Sequence, residues 1–335
     1  DPMSSLVPVD TDQTEGGAVK NAAKPDGTRR VLMPLLVMLL GLAVLLYPVV
    51  STQWNNWLQQ RSVNEYNSEL LYSEQTDPEA MERALESARL YNEEHTDGPV
   101  LDPWLARISQ DNAEYQDYLK ELSDYPAMSQ VAIPSIKSNM PVYHGTDEEV
   151  LQKGIGHLFG SALPTGGEGN HTVLTGHTGL TNATLWDNLI DVKEGDAVYL
   201  NTYGHKMKYE VHNIEIVLPG ETDSLKAQAD EDLLTLITCT PYGINTHRLL
   251  VHAHRVPMDP SEADVFEETN KLMQWWMWLV LAIAVAAIIG IIWWLRKQRR
   301  SARGESLAAA DGSAEEQVDE VTAPIDAEGE DENEN

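Results

Sequence analysis

Thr235-Leu-Ile-Thr-Cys-Thr-Pro-Tyr-Gly-Ile-Asn-Thr-His-Arg-Leu-Leu-Val251 contains the only cysteine of the chain, set between two short β-like runs. In Leu234-Thr-Leu-Ile-Thr-Cys239 successive side chains alternate between faces, so Thr235, Ile237 and Cys239 share one of them. Thr240-Pro241 follows. Proline gives no N–H to a central ladder, so the strand is expected to end at the thiol, on a rigid element that faces a cleft. Arg248 opens the second run. A returning strand there brings a guanidinium beside the sulfur, which favours thiolate and stabilises an oxyanion. Spacing alone also allows an ordinary surface cation.

Working outward, residues 125–256 read as short β runs separated by Gly, Pro and Asn. The best candidates are 131–134, 171–175, 197–200, 208–212, 214–218, 234–238 and 248–252. Many short strands with frequent turns predict a mainly β fold, a closed sheet or sandwich rather than βαβ units. Residues 53–124 are helical in pattern. Asp77-Pro78-Glu79 supplies a cap, a first-position proline and an acid in the first turn, ahead of Ala80, Ala84, Leu85 and Ala88. A second helix is expected over 112–122, with Tyr115, Tyr118, Leu119 and Leu122 on one side. The segment between, from His95 to Trp104, holds two prolines and a glycine and reads as a loop.

Two apolar runs without charge, 31–50 and 275–295, are each long enough to cross a bilayer. Trp flanks the second at both ends, as at a membrane interface. The first exceeds a signal-peptide core and lacks a clear small-x-small cleavage site after it. Arg29 and Arg30 precede the first run, and Arg296, Lys297, Arg299 and Arg300 follow the second. The positive-inside bias places both ends in the cytoplasm and residues 51–273 outside. The formal net charge of −30 argues against nucleic-acid binding. Much of the acid lies beyond Ser301 in a tail too polar to pack a core, which is expected to be disordered. A single exported cysteine cannot form an internal disulfide. A free thiol in an oxidising compartment points to chemical use, though free cysteine is also often a buried small hydrophobe.

The proton partner comes from ten histidines. His177 stands out because Leu174-Thr-Gly-His-Thr-Gly-Leu180 ends a β run in a glycine-flanked turn. His157 and His171 also lie near glycines. His252 and His254 project from one face of a strand, but a metal site needs at least one more ligand. No metal or cofactor site is expected. Glu148-Glu149 and Glu93-Glu94 read as solvated charge, and Gly166, Gly167 and Gly169 as loop flexibility.

The segment 235–251 resembles the active-site region of sortases of the class C, pilin-polymerising group, with its TLxTC and PYGxNxxR patterns. The resemblance continues through Ile155-Gly-His-Leu-Phe-Gly-Ser-Ala-Leu-Pro-Thr-Gly-Gly167, Leu174-Thr-Gly-His-Thr-Gly-Leu-Thr-Asn-Ala-Thr-Leu185 and Pro141-Val-Tyr-His-Gly-Thr146. It covers most of 131–256 and the two-span layout. Thr178 departs from the arginine that most such relatives carry after the histidine. The resemblance implies an eight-stranded sortase-type β-barrel with an N-terminal helical region, flanked by two transmembrane helices. It implies Cys239 as nucleophile, His177 as acid/base and Arg248 as third member. Asp102-Pro103-Trp104 resembles the lid motif of the class, which implies that Trp104 covers Cys239 and Asp102 faces Arg248.

The expected layout is a cytoplasmic segment at 1–30, a span at 31–50 and a helical region at 51–125 with a lid at about 95–106. The catalytic barrel at 126–258 and a linker at 259–274 follow, then a span at 275–295 and a basic stop with an acidic tail at 296–335. The implied activity is two-step acyl transfer at the membrane of a Gram-positive bacterium. An LPxTG-like signal on a pilin is cleaved, a thioester forms on Cys239, and a lysine amine of another pilin resolves it. Anchoring of proteins to peptidoglycan, hydrolytic cysteine proteolysis and a non-enzymatic exported scaffold are the competing readings.

Overall fold

In a computed structural model of the chain, the described residues are 27–95, 102–104, 108–109, 111–180, 182–268 and 273–321. Two helices have the length and composition to cross a membrane. The first, α1, runs unbroken over Gly27–Thr76, past the residue 50 boundary drawn from the sequence. Its early apolar residues, such as Leu32, Leu36, Leu40 and Val44, are exposed. From Thr52 the pattern changes. Thr52, Asn56, Gln59, Val63, Tyr66 and Leu70 are buried at spacings of three and four, which makes one helix face. Tyr66 Oη donates to the Asn201 carbonyl (3.2 Å) and accepts from the Tyr203 amide (3.0 Å).

The helix α2, Pro78–His95, starts where Asp77 Oδ1 accepts from the Ala80 amide (3.0 Å). Its buried stripe is Met81, Leu85, Ala88 and Asn92; Leu85 and Ala88 are buried as expected, while Met81 takes the core in place of Ala80, because the larger side chain has more apolar area to bury. Asn92 bonds Leu163 through both its amide ends. The helix α3, Ala113–Tyr118, is capped by Asn112 and buries Tyr115 and Tyr118. It stops short of the expected Leu122, which is buried at positive φ beyond the helix.

Eight strands follow: β1 Ser129–Ile133, β2 Ser138–His144, β3 Ile155–His157, β4 His171–Thr175, β5 Ala197–Thr202, β6 His205–Val217, β7 Leu233–Thr240 and β8 His247–Val256. They close into a barrel in the order β1-β2-β3-β4-β7-β8-β6-β5. The β2–β3 and β4–β7 pairs are parallel and the others antiparallel. A short helix, α4 (Glu148–Lys153), connects β2 to β3.

The two β runs read at 208–212 and 214–218 are one strand, β6, with a bulge between Val211 and Asn213 that interrupts their alternation. The strand β7 reaches Thr240, one residue past the expected end, because Thr240 still pairs with His247. The linker region forms a 3-10 turn at Pro260–Phe266 with Asp259 and Glu262 as its capping box. The second long helix, α5, spans Trp275–Val321. It thus continues for twenty residues beyond Ser301, where disorder was expected. The alanines and glutamates of that stretch are good helix formers. The expected tail beyond 321, the segment 1–26 and the lid positions 96–101 and 105–107 lie outside the described residues.

Residues 44–287 form one compact unit, and the described outer parts of α1 and α5 belong to another. Within the first, alternation sorts the strands' side chains. Leu174, Leu234, Leu236, Leu249, Val251 and Ala253 point into the main core with Val131, Ile133, Val198 and Leu200. Val173, Ile237 and Leu250 point the other way, into a small outer cluster with Leu158 and Leu225. The site residues are on that outer face.

Candidate active site

Cys239 and Arg248 are directly opposed across the antiparallel β7–β8 pair. On the other flank β4 runs parallel to β7, with Thr175 level with Ile237. The Gly176 amide donates to the Ile237 carbonyl (3.0 Å), and Thr238 Oγ1 donates to the Gly176 carbonyl (2.7 Å). The strand β4 ends at Thr175, and His177 lies two residues beyond it, as Cys239 lies two residues beyond Ile237 on β7. Counted by alternation from Val173 and Ile237, all three side chains belong to the outer face. The barrel therefore carries a guanidinium on β8, opposite the thiol, and an imidazole just past the end of β4 on the other flank.

Gly176 is fixed by packing. A Cβ there would meet the Trp186 ring at 2.6 Å and Ile155 at 2.8 Å. Beyond His177 the loop is tied down from several sides. The Trp186 amide donates to the His177 carbonyl (3.1 Å). Asp187 Oδ1 accepts from the Gly179 amide (2.8 Å) and the Thr178 hydroxyl (3.1 Å). Burial raises the Asp187 carboxyl to about 6, against these two donors. Thr178, the departure from the arginine pattern, is thus a donor to Asp187. The helix α1 reaches the same loop, where Asn56 Nδ2 donates to Thr184 Oγ1 (3.2 Å).

Asp102-Pro103-Trp104 closes over this face. Arg248 Nε donates to Asp102 Oδ2 (2.8 Å) and Nη2 to Oδ1 (3.3 Å), with the two side chains only 7% and 4% exposed. The Arg248 guanidinium carbon lies 4.6 Å from the Trp104 ring centre, a cation–π stack. The Trp104 ring also lies 6.1 Å from that of His177 and packs against the outer cluster. Asp102 Oδ1 accepts from the Trp104 amide (3.0 Å), and Thr146 Oγ1 donates to the Pro103 carbonyl (3.4 Å). Cys239 is buried in consequence. Burial is the main reason its thiol is raised above the usual range; Arg248 lowers it and Asp102 raises it further.

Two residues that sequence reasoning passed over belong to this constellation. Glu148, read as solvated charge, places Oε2 3.3 Å from His177 Nε2. Asp187 was not singled out. Each acts across a chain connection with no periodic signal.

The other histidines weighed from the sequence have structural partners. His157 is fully buried against Tyr118 Oη (2.9 Å), and His171 bonds Thr235 Oγ1 (2.7 Å). Burial lowers each to about 4, which leaves both neutral near physiological pH. His252 is held by Thr235 and Glu215, and His254 faces His212. Among the described residues no three His, Cys, Asp or Glu side chains are placed to hold a metal. A wide groove of about 1320 Å³ opens by His254 and Arg255, at the far end of β8, and contains none of the site residues.

Comparison with known proteins identifies the family. The sortase domain family model matches residues 131–256. Sortase D of Bacillus subtilis (strain 168) is 30% identical over 127 residues, which is 37% of this chain and 61% of that protein, so less than two thirds of its length is spanned. Among solved structures, sortase C-1 from Actinomyces oris is 51% identical with a TM-score of 0.53, covering 54% of this chain and 99% of that one. Sortase C1 of GBS pilus island 1 is 36% identical with a TM-score of 0.54, covering 60% and 94%. Since it is half identical to a solved relative over nearly all of that relative's length, and has the same closed barrel, the chain belongs to the sortase family, in its class C group.

Proposed function

We propose that this protein is a cysteine transpeptidase that joins pilin subunits. The Cys239 thiolate attacks the threonine carbonyl of an LPxTG-like sorting signal, His177 protonates the leaving amine, and a thioester remains. A lysine amine of the next pilin attacks that thioester, and the product is an isopeptide bond. Arg248 steadies the oxyanion at each tetrahedral stage. The observation that carries this reading is the lid. Asp102 accepts from two donors of Arg248, Nε and Nη2, and Trp104 covers the guanidinium beside the thiol. A site closed by its own chain suits an enzyme that acts only on a docked protein substrate. The apolar outer surfaces of α1 and α5 fit a two-pass membrane anchor, with the barrel outside and the arginine-flanked ends of the spans in the cytoplasm.

The test uses the full-length protein in detergent with candidate pilins that carry such a signal. An SDS-resistant ladder that Cys239→Ala abolishes supports polymerisation. Transfer only to a cell-wall peptide amine moves the protein to the anchoring reading. Release of free acid alone makes it a hydrolase.

A further inference from the structure

We propose that Glu148 is the docking carboxylate for the incoming ammonium group of the acceptor. This rests on the transpeptidase reading above. Glu148 opens α4, and its Oε2 lies 3.3 Å from His177 Nε2. Its side chain is 65% exposed, so an arriving group can reach it. Its other oxygen accepts from the neutral amide of Gln152 (3.0 Å). The nearby cation Lys153 is taken by the adjacent Glu149 at 2.6 Å. The Gln152 amide first, and His177 after it, hold Glu148 below the ordinary carboxylate range, so it is ionised at neutral pH.

The chemistry requires a feature of this kind. A lysine acceptor arrives as an ammonium and cannot attack until it has lost a proton. Arg248, on the other flank of Cys239, repels it. A carboxylate within hydrogen-bond reach of the base attracts the cation and presents its N–H to the imidazole. One proton of the ammonium then passes to His177, and the freed nitrogen attacks the thioester carbonyl. The C–N bond forms, the C–S bond breaks, and the departing Cys239 sulfur takes a second proton. The products are the amide, the thiol and an imidazolium that returns its proton to water.

Charge selectivity tests the proposal. The full-length protein is acylated with an LPxTG peptide and resolved either by Nα-acetyl-lysine amide, which is cationic at neutral pH, or by hydroxylamine, which is not. Glu148→Gln is expected to lower the ratio of the two kcat/KM values about fivefold, mostly through KM for the lysine compound, as suits one exposed charge pair. Glu148→Asp should recover much of the ratio. Glu149→Gln combined with Lys153→Gln removes the neighbouring carboxylate together with the cation it holds and should leave the ratio in place. A Glu148→Gln enzyme that loses both nucleophiles equally makes Glu148 a support for His177 alone and overturns the proposal, as does an unchanged ratio. If the unaltered protein forms no Cys239 acyl-enzyme with either nucleophile present, the transpeptidase reading itself fails and this proposal with it.

Discussion

Replacing Trp104 with alanine removes the ring that stacks on Arg248 at 4.6 Å and covers the outer cluster. A desolvated cation–π contact contributes about 2 kcal/mol. The loss is partly offset, because the Trp104 indole N–H is buried without a partner in the closed arrangement, which costs about 1–3 kcal/mol. The apolar area of the ring adds about 1.5–3 kcal/mol in favour of closure. A net weakening of about 2 kcal/mol raises the open fraction by roughly thirtyfold. Cys239 is the only cysteine, so alkylation by an uncharged thiol reagent reads lid opening directly, by mass spectrometry against time. The labelling rate of Trp104→Ala should exceed that of the unaltered protein by about tenfold or more.

The pH profile of the same reaction checks the electrostatics. In the closed arrangement burial and Asp102 raise the thiol and only Arg248 lowers it. Opening removes the two raising effects and leaves the guanidinium, so the midpoint of labelling should move to lower pH. Equal rates, or a midpoint that stays in place, would refute the argument that the lid controls the thiol.

Gly176→Ala forces a Cβ to within 2.6 Å of the buried Trp186 ring. It should destabilise the barrel by about 1–3 kcal/mol in thermal melts and slow acylation, because His177 is the next residue. Asp187 gives a pH signature. Its folded value of about 6 is above the unfolded value near 3.8, so the stability it contributes is full below about pH 4 and is lost as pH rises through 6. Asp187→Asn should flatten the stability profile over that window; a profile that keeps its slope assigns the slope to another group.

Most of the strands around the candidate site could be read from the residue pattern alone. The β4 and β7 runs and the start of β8 were legible from their Val, Ile, Leu and Thr residues bounded by Gly, Asn and Pro; Cys239 and Arg248 lie near the ends of β7 and β8, and His177 two residues past β4. The two long apolar helices were legible because each contains about twenty consecutive uncharged residues. Neither β2, which contains Pro141, nor the three-residue β3 gives a periodic signal, and the count of eight strands came only from the family resemblance.

Tertiary structure decided what each polar side chain faces. The parallel β4–β7 register, formed across 58 residues from Thr175 to Leu233, sets Thr175 level with Ile237 and so brings the end of β4, from which His177 follows, alongside the strand that carries Cys239. The Asp102–Arg248 pair joins residues 146 apart, and Glu148 reaches His177 across 29. Hydrophobic periodicity reports which side of an element is buried, because burial is set mostly by neighbours a few residues away. An ion pair or a catalytic contact depends on how the barrel closes, and that is a property of all its strands together.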